Sequence, residues 1–236
     1  MKQRLLFLLL SLMALLPPLA AQERTVQHRP YIDERRFHYG FLFGLHDQGL
    51  GITNNGLIDG ATGAQWVAAN DRHNYGFTVG VLGEWRLTPH LSLRAIPLMT
   101  FGSKHIAYRN LADGSRESQD MKSTYIGVAF HIKAAAPRFN NFRPYVVAGV
   151  APMFDLTANK HTLLRTKQSQ MMIEAGMGCD LYLPFFKLIP ELKFSFCPSN
   201  VLQKNRHDLT DATQQVFTQS VDKLTTSMVT LTFYFE

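Results

Sequence analysis

Beyond its first 21 residues the sequence has no apolar run of about 18 residues, the minimum for a membrane-spanning helix. This absence excludes a helical membrane protein. It leaves a β-barrel open, because closed sheets also satisfy every backbone hydrogen bond internally. Common metal and catalytic patterns are missing too, with no H-E-x-x-H and no C-x-x-C among the nine histidines and two cysteines. We therefore expect no cofactor, no metal and no catalytic residue.

Cysteine is scarce, with Cys179 and Cys197 alone in the chain. Two cysteines in an exported protein often form a disulfide. A hairpin that turns at residues 185–186 instead puts Cys179 opposite Leu192 and Cys197 opposite Glu174. The thiols would then be roughly 16 Å apart along the strands and on opposite faces. We expect both to be free.

The one strongly apolar segment lies at the start, in "MKQRLLFLLLSLMALLPPLAAQ". Basic Lys2 and Arg4 precede an apolar run at residues 5–16, and small Ala20 and Ala21 follow it. This order is typical of a secretory signal. We expect residues 1–21 to be a signal peptide and the protein to be exported.

Without this signal the chain has 22 basic and 18 acidic residues, an excess too small and too scattered for nucleic acid. It suits weak contact with anionic lipid head groups and lipopolysaccharide. A basic stretch, "ANKHTLLRTK", carries Lys160, His161, Arg165 and Lys167. It could bind lipopolysaccharide phosphates or simply be solvated.

Alternating apolar residues indicate β-strands. In "FHYGFLFGLH" the aromatic and aliphatic side chains from Phe37 to Leu45 share one face, and His38, Gly40 and His46 share the other. Seven further segments alternate in this way or read as strands, at residues 74–87, 91–102, 123–132, 143–156, 170–183, 187–196 and 227–236. Residues 37–236 are thus predicted to form an all-β, eight-stranded antiparallel transmembrane outer-membrane β-barrel.

The links between these strands alternate in length. Those at 88–90, 133–142 and 184–187 are short or moderate, and those at 47–73, 110–120, 157–168 and 198–224 are mostly long. Outer-membrane barrels have short periplasmic turns and longer outer loops. We expect both termini to be periplasmic. Because proline cannot donate to a ladder, Pro97, Pro152 and Pro190 are expected at bulges or strand ends.

Charged residues recur on the face opposite the apolar one, as in "CDLYLPFFKLIPELKFSF". They predict a polar network inside the barrel, formed by Glu84, Arg86, Arg94, Glu174, Asp180, Glu191 and Lys193. Such charges either pair into a structural plug or line a proton or ion path. Because an eight-stranded barrel is filled by side chains, the plug is favoured.

Residues 22–36 are expected to form a periplasmic N-terminal arm. Its charged residues, Arg29, Asp33, Glu34, Arg35 and Arg36, mix both signs within a short span. They suit a polar docking contact, although a solvated lead-in has the same composition.

Three stretches resemble the PorT family of outer-membrane barrel components of the type IX secretion system. They are "RPYIDERRFHYGFLFGLH", the hairpin "CDLYLPFFKLIPELKFSF" followed by "NVL", and the close "VDKLTTSMVTLTFYFE". The resemblance implies a part in exporting cargo proteins that carry a C-terminal sorting domain. It also implies contacts with other type IX secretion subunits and no catalytic residues.

Two other classes stay open. A generic small barrel, either a passive pore or adhesin-like, would need an open lumen or loops built for binding. A lipid-modifying enzyme would need a serine, a histidine and an acid converging at the rim. Ser103, His105 and Asp120 are the nearest set in sequence, but nothing in the pattern brings them together. We expect no small-molecule substrate.

Overall fold

The computed structural model describes residues 26–56, 63, 65–158, 165–203 and 220–236 of the chain. The expected signal peptide, the first residues of the arm and the basic positions Lys160 and His161 lie outside these ranges. Within them, no helix is both long and apolar enough to cross a membrane.

In the described part of the chain, nine strands follow a 3₁₀ turn at Ile32–Glu34. Their bounds are β1 Phe37–Asn54, β2 Trp66–Ala69, β3 Tyr75–Arg86, β4 Leu91–Asn110, β5 Arg116–Ala135, β6 Phe142–Asp155, β7 Ser169–Tyr182, β8 Lys187–Phe196 and β9 Val221–Phe235.

Eight of these strands close into a ring. Each pairs antiparallel with its neighbours in the order β1, β3, β4, β5, β6, β7, β8 and β9, and β9 pairs back with β1. The short β2 pairs only with the last residues of β4. The predicted eight-stranded antiparallel barrel is confirmed, with β2 as an addition.

The predicted faces are also confirmed. Apolar side chains such as Phe41, Val81, Ile126 and Leu231 point outward and are exposed. Outward aromatic rings stack near both ends of the barrel, for example Phe41 on Phe235, Phe77 on Phe101, and Phe37 on Trp85. An apolar wall between two aromatic girdles is the surface that a lipid bilayer requires.

The two ends of the barrel differ. The terminal end carries the start of β1, the end of β9 and the short links after β3, β5 and β7. The loop end carries the remaining connections. At the loop end, β4 and β5 run on to Asn110 and Arg116, so the loop expected at 110–120 is only a five-residue turn. That expectation was wrong because outward residues here face water, which removes the apolar alternation.

An apolar cluster explains why the strands continue at the loop end. Leu50, Ile106, Tyr108 and Met121 point inward there and are buried against one another. Val201, Leu202, Val221 and Leu224 belong to the same cluster. The loop end is therefore filled by apolar side chains.

The three prolines lie in mid-strand, and the expectation of bulges or strand ends was wrong. On one side each proline pairs in register with the neighbouring strand: Pro97 with Val128, Pro152 with Met171 and Pro190 with Phe233. On the other side, the ladder lacks two pairs and then resumes in the same register. The missing proline N–H thus opens a short gap without shifting the strands.

A glycine lies beside each of these gaps, on the neighbouring strand. A Cβ on Gly80, Gly127 or Gly178 would overlap the carbonyl oxygen of Pro97, Pro152 or Pro190, respectively. The proline and the glycine therefore form a matched pair that brings two backbones close together. The pair occurs three times, between β3 and β4, β5 and β6, and β7 and β8.

The β7–β8 hairpin is shifted from its predicted register. Gly178 pairs with Glu191, so Glu174 lies opposite Ser195 rather than Cys197. The shift is two residues, which preserves the face of every side chain. Both cysteines are free, as expected.

Candidate functional site

Arg94 is the hub of the charged interior. Its Nε donates to Glu84 Oε2 at 2.7 Å, and its Nη1 donates to Glu191 Oε2 at 2.7 Å. The guanidinium also lies over the rings of Tyr145 and Tyr234, at 4.7 and 5.3 Å from their centroids. Arg94 is thus shared by two buried carboxylates, and Lys133 Nζ, 3.5 Å from Glu84 Oε2, supplies the second positive charge. Pairing of this kind is the condition for burying such charges.

A chain of charges leads from this hub to the terminal end. Lys133 Nζ lies 2.8 Å from Asp180 Oδ2, and Lys187 Nζ lies 3.3 Å from the same oxygen. Lys187 also binds Glu236 Oε2 at 3.0 Å, and His38 Nδ1 is 2.5 Å from Glu236 Oε1. Burial alone would raise the pKa of the Glu236 carboxyl, but His38 and Lys187 outweigh it and lower that pKa.

A separate group surrounds Glu174. His131 Nε2 lies 2.6 Å from Glu174 Oε2, and Lys193 Nζ lies 3.0 Å from the same oxygen. Ser195 donates its hydroxyl to Glu174 Oε1 at 2.8 Å. All four residues are buried, so this carboxylate is fully occupied by protein partners.

Six of the seven residues expected in the interior lie there, in these two groups. The exception is Arg86, which is half-buried at the terminal end and donates to the carbonyl of Thr88 at 3.3 Å. Arg86 was placed in the interior because its position in the alternation faces inward. It is the last residue of β3, so its side chain lies at the rim of the barrel.

Sequence reasoning left several buried interior charges out of the network, among them His38, Lys104, His131, Lys133 and Lys187. Each occupies a position of its strand whose side chain points inward. Lys133, for example, lies on the same face of β5 as His131. Lys133 and Lys187 had been assigned to the links, because those strands were read too short. Extending the alternation of inward positions past the assumed strand ends would have placed both lysines in the interior.

Little space remains inside the barrel. A cavity between the hub and the loop end, beside Lys193 and Met228, has a volume of about 20 Å³. Above it, Lys104 Nζ lies 2.5 Å from Tyr125 Oη, whose hydroxyl also accepts from Gln170. A cavity of this size holds about one water molecule.

The arm closes the terminal end. Tyr182 donates its hydroxyl to Asp33 at 2.7 Å, and Arg29 Nη1 donates to the carbonyl of Glu236 at 3.2 Å. Arg138 donates to the carbonyls of His28 and Arg29, and Ile32 of the arm is buried.

The arm residues expected to dock therefore divide into two sets. Arg29 and Asp33 are occupied by contacts to the barrel itself, so they do not form a free docking surface. Glu34, Arg35 and Arg36 are exposed. Of the five charged residues expected to dock, only these three present exposed side chains.

At the loop-end rim, His105 Nδ1 lies 2.6 Å from Asp120 Oδ1, and Arg72 Nη2 donates to the same oxygen at 2.8 Å. Asp71 is 3.5 Å from His105 Nε2. In the described ranges, Ser103 makes no hydrogen bond to His105, so these three residues are not assembled as a triad. Nor do the described residues contain a group of three or more His, Cys, Asp or Glu side chains that could hold a metal.

A family model described as "Outer membrane protein beta-barrel domain" matches residues 20–203. No curated protein matches the chain. Among solved structures it is similar to Neisserial surface protein A, with 10% identity and a TM-score of 0.44 over 85% of this chain and 96% of that one. OprG from Pseudomonas aeruginosa gives 12% identity and a TM-score of 0.45 over 84% and 92%. Ail of Yersinia pestis, solved with a heparin analogue, gives 11% and 0.38 over 85% and 99%.

Proposed function

This chain belongs to the outer membrane protein beta-barrel domain family, and from that premise we propose that it acts through its surfaces as a closed barrel in the bacterial outer membrane. In this role it is neither a conduit nor an enzyme. Its contacts with the membrane are those of outer-membrane barrels in general, through an apolar wall that faces lipid.

The filled interior carries this proposal. Arg94 and its partners occupy the lumen near the terminal end, the arm covers that end, and an apolar cluster fills the loop end. A polypeptide in extended form could not pass such an interior without unfolding the barrel.

We infer that the partners belong to the type IX secretion system. Support comes from the resemblance of the arm, the β7–β8 hairpin and the last strand to the PorT family. In this proposal residues 1–21 are a signal peptide, both termini are periplasmic, and Glu34, Arg35 and Arg36 contact another secretion subunit. Exposed charges of mixed sign suit a polar, specific contact of this kind.

Deleting the gene tests the secretion role. We expect cargo proteins with a C-terminal sorting domain to accumulate in the periplasm of the deletion strain. The wild-type gene should restore export, whereas an Arg35→Glu, Arg36→Glu variant should insert normally and restore less. A matched Lys223→Glu variant changes an exposed loop-end charge and should restore export fully. Undiminished secretion in the deletion strain would contradict the role.

A surface-binding role, as in an adhesin-like barrel, is the second candidate. One observation favours it, a groove at the loop end beside two unpaired arginines.

A further inference from the structure

The β4–β5 hairpin places two arginines directly opposite each other. Arg109 pairs with Arg116 at the end of the ladder, and both side chains are exposed. Opposed residues in an antiparallel pair have Cβ atoms about 4.5–5.5 Å apart, and like charges there destabilise the hairpin. Among the described residues, the side chain of neither arginine forms an ion pair or a hydrogen bond. An anion held between the two side chains would remove this repulsion.

A groove of about 570 Å³ lies beside this pair, within the size range of small-molecule sites. It forms where β2 joins the end of β4, with Val67 opposite Arg109. Ala69, Ala107 and Leu111 provide apolar surface. The groove therefore offers an apolar floor with two cations at its edge.

The rest of the lining narrows the class of ligand. Arginine forks match phosphate and sulfate groups geometrically. Asp71, Glu117 and Ser118 also line the groove, and they suit the hydroxyl groups of a sugar. Because two of these three are acidic, a ligand with a single anionic group fits better than a polyanion.

We propose that this groove binds a saccharide carrying one phosphate or sulfate group, which lies between Arg109 and Arg116. The sugar ring packs on the apolar floor and its hydroxyls meet the acidic and hydroxyl side chains. The saccharide comes either from lipopolysaccharide in the same membrane or from a soluble glycan outside the cell.

Glucose 6-phosphate is a suitable probe for the full-length mature protein in nanodiscs without lipopolysaccharide. Isothermal titration calorimetry measures the binding, because Trp66 packs against the loop-end apolar cluster on the opposite face of β2 from Val67 and does not line the groove. We expect saturable binding that glucose alone does not reproduce. The Arg109→Gln, Arg116→Gln variant should weaken it about ten-fold or more. Lys223→Gln, another exposed loop-end charge, should not change it.

Stabilisation by added ligand gives a second readout, which a purely structural role of the two arginines would not produce. Without ligand, Arg116→Gln should unfold at a higher urea concentration than the parent, because one of two repelling charges is gone. Saturating glucose 6-phosphate should raise the unfolding midpoint of the parent and not that of Arg116→Gln. The same experiment at equal ionic strength in sodium chloride controls for screening.

Several results would overturn the proposal: no saturable binding, equal binding by the double variant, or an equal effect of chloride. Nanodiscs with lipopolysaccharide separate the two sources. If the groove is already occupied, the parent no longer responds to glucose 6-phosphate, and the membrane is the source. If the response is unchanged, the ligand is a soluble glycan.

Discussion

Glu174 shows how the interior holds buried charge. Its carboxylate contacts His131, Lys193 and Ser195, and all of them are buried. Removing one member of such a group leaves an unpaired charge in a low-dielectric interior, which is far more costly than losing a surface pair.

A Glu174→Gln substitution should therefore destabilise the barrel by about 3 to 5 kcal/mol, because Lys193 loses its carboxylate partner. Urea unfolding in lipid vesicles measures the change. Asp120→Asn is the control, because the Asp120 side chain is largely exposed at the rim, where solvent screens its pairs with Arg72 and His105, and it should change stability by less than about 1 kcal/mol. If Glu174→Gln unfolded like the parent, the buried group would not stabilise the fold.

Glu236 predicts a pH dependence at the terminal end. Its pKa in the folded protein lies below its usual value of 4.5, despite burial, because of His38 and Lys187. A lowered folded pKa gives stabilisation that is complete above about pH 4.5 and is lost as the pH falls through the folded pKa. The parent should lose more stability between pH 5 and pH 3 than Glu236→Gln does. Identical acid sensitivity of the two proteins, measured by urea unfolding, would argue against this contact.

At the scale of the strands, the three proline and glycine pairs account for the gaps in the ladders. The pair of Pro152 and Gly127 is typical, since a Cβ on Gly127 would meet both Pro152 and Met153. The strands stay in register because the glycine accepts the close backbone that proline imposes.

Gly127→Ala should therefore destabilise the barrel by about 1 to 3 kcal/mol, through overlap with the carbonyl of Pro152. Gly83→Ala is the control, because its nearest neighbour, the carbonyl of Ala95, would lie at 3.4 Å, an ordinary contact. Unfolding midpoints in urea should fall for Gly127→Ala and stay within about 0.5 kcal/mol of the parent for Gly83→Ala. Equal midpoints would mean that the backbone relaxes freely at the gap.

Strand alternation was readable from the sequence wherever one face meets lipid. The faces of Phe37 to Leu45 and of the last strand were assigned correctly for this reason, although both strands extend beyond their predicted bounds, to Phe37–Asn54 and Val221–Phe235. Beyond the bilayer both faces tolerate polar residues, so the extension of β4 to Asn110 gave no such signal. Local pattern also could not fix the turn centre of the β7–β8 hairpin, where two registers keep the same faces.

Prediction of the charged interior from the sequence was limited in a similar way. Glu84, Arg94 and Glu191 were found from parity, since each lies in the middle of an alternating segment. Which charges meet could not be read, because Arg94 and Glu191 come from strands on different sides of the ring. The arm was harder still, as its contact between Asp33 and Tyr182 depends on how the chain returns over the barrel end.

The whole molecule is a barrel whose two ends are closed by different means. Charges and the arm occupy the terminal end, and apolar side chains fill the loop end. In the function proposed above, the contacts lie on the surfaces, at Glu34, Arg35 and Arg36 at one end and at the groove beside Arg109 at the other.

Conductance of the purified protein in planar lipid bilayers tests this closure most directly. The packed interior predicts no stable large conductance, for the parent and for a variant in which Asp33→Asn and Arg138→Gln loosen the arm, because the charges around Arg94 still fill the lumen. Folding of both proteins in the same lipid is checked by circular dichroism. Large, steady channels from the folded parent would contradict a closed barrel and favour a pore.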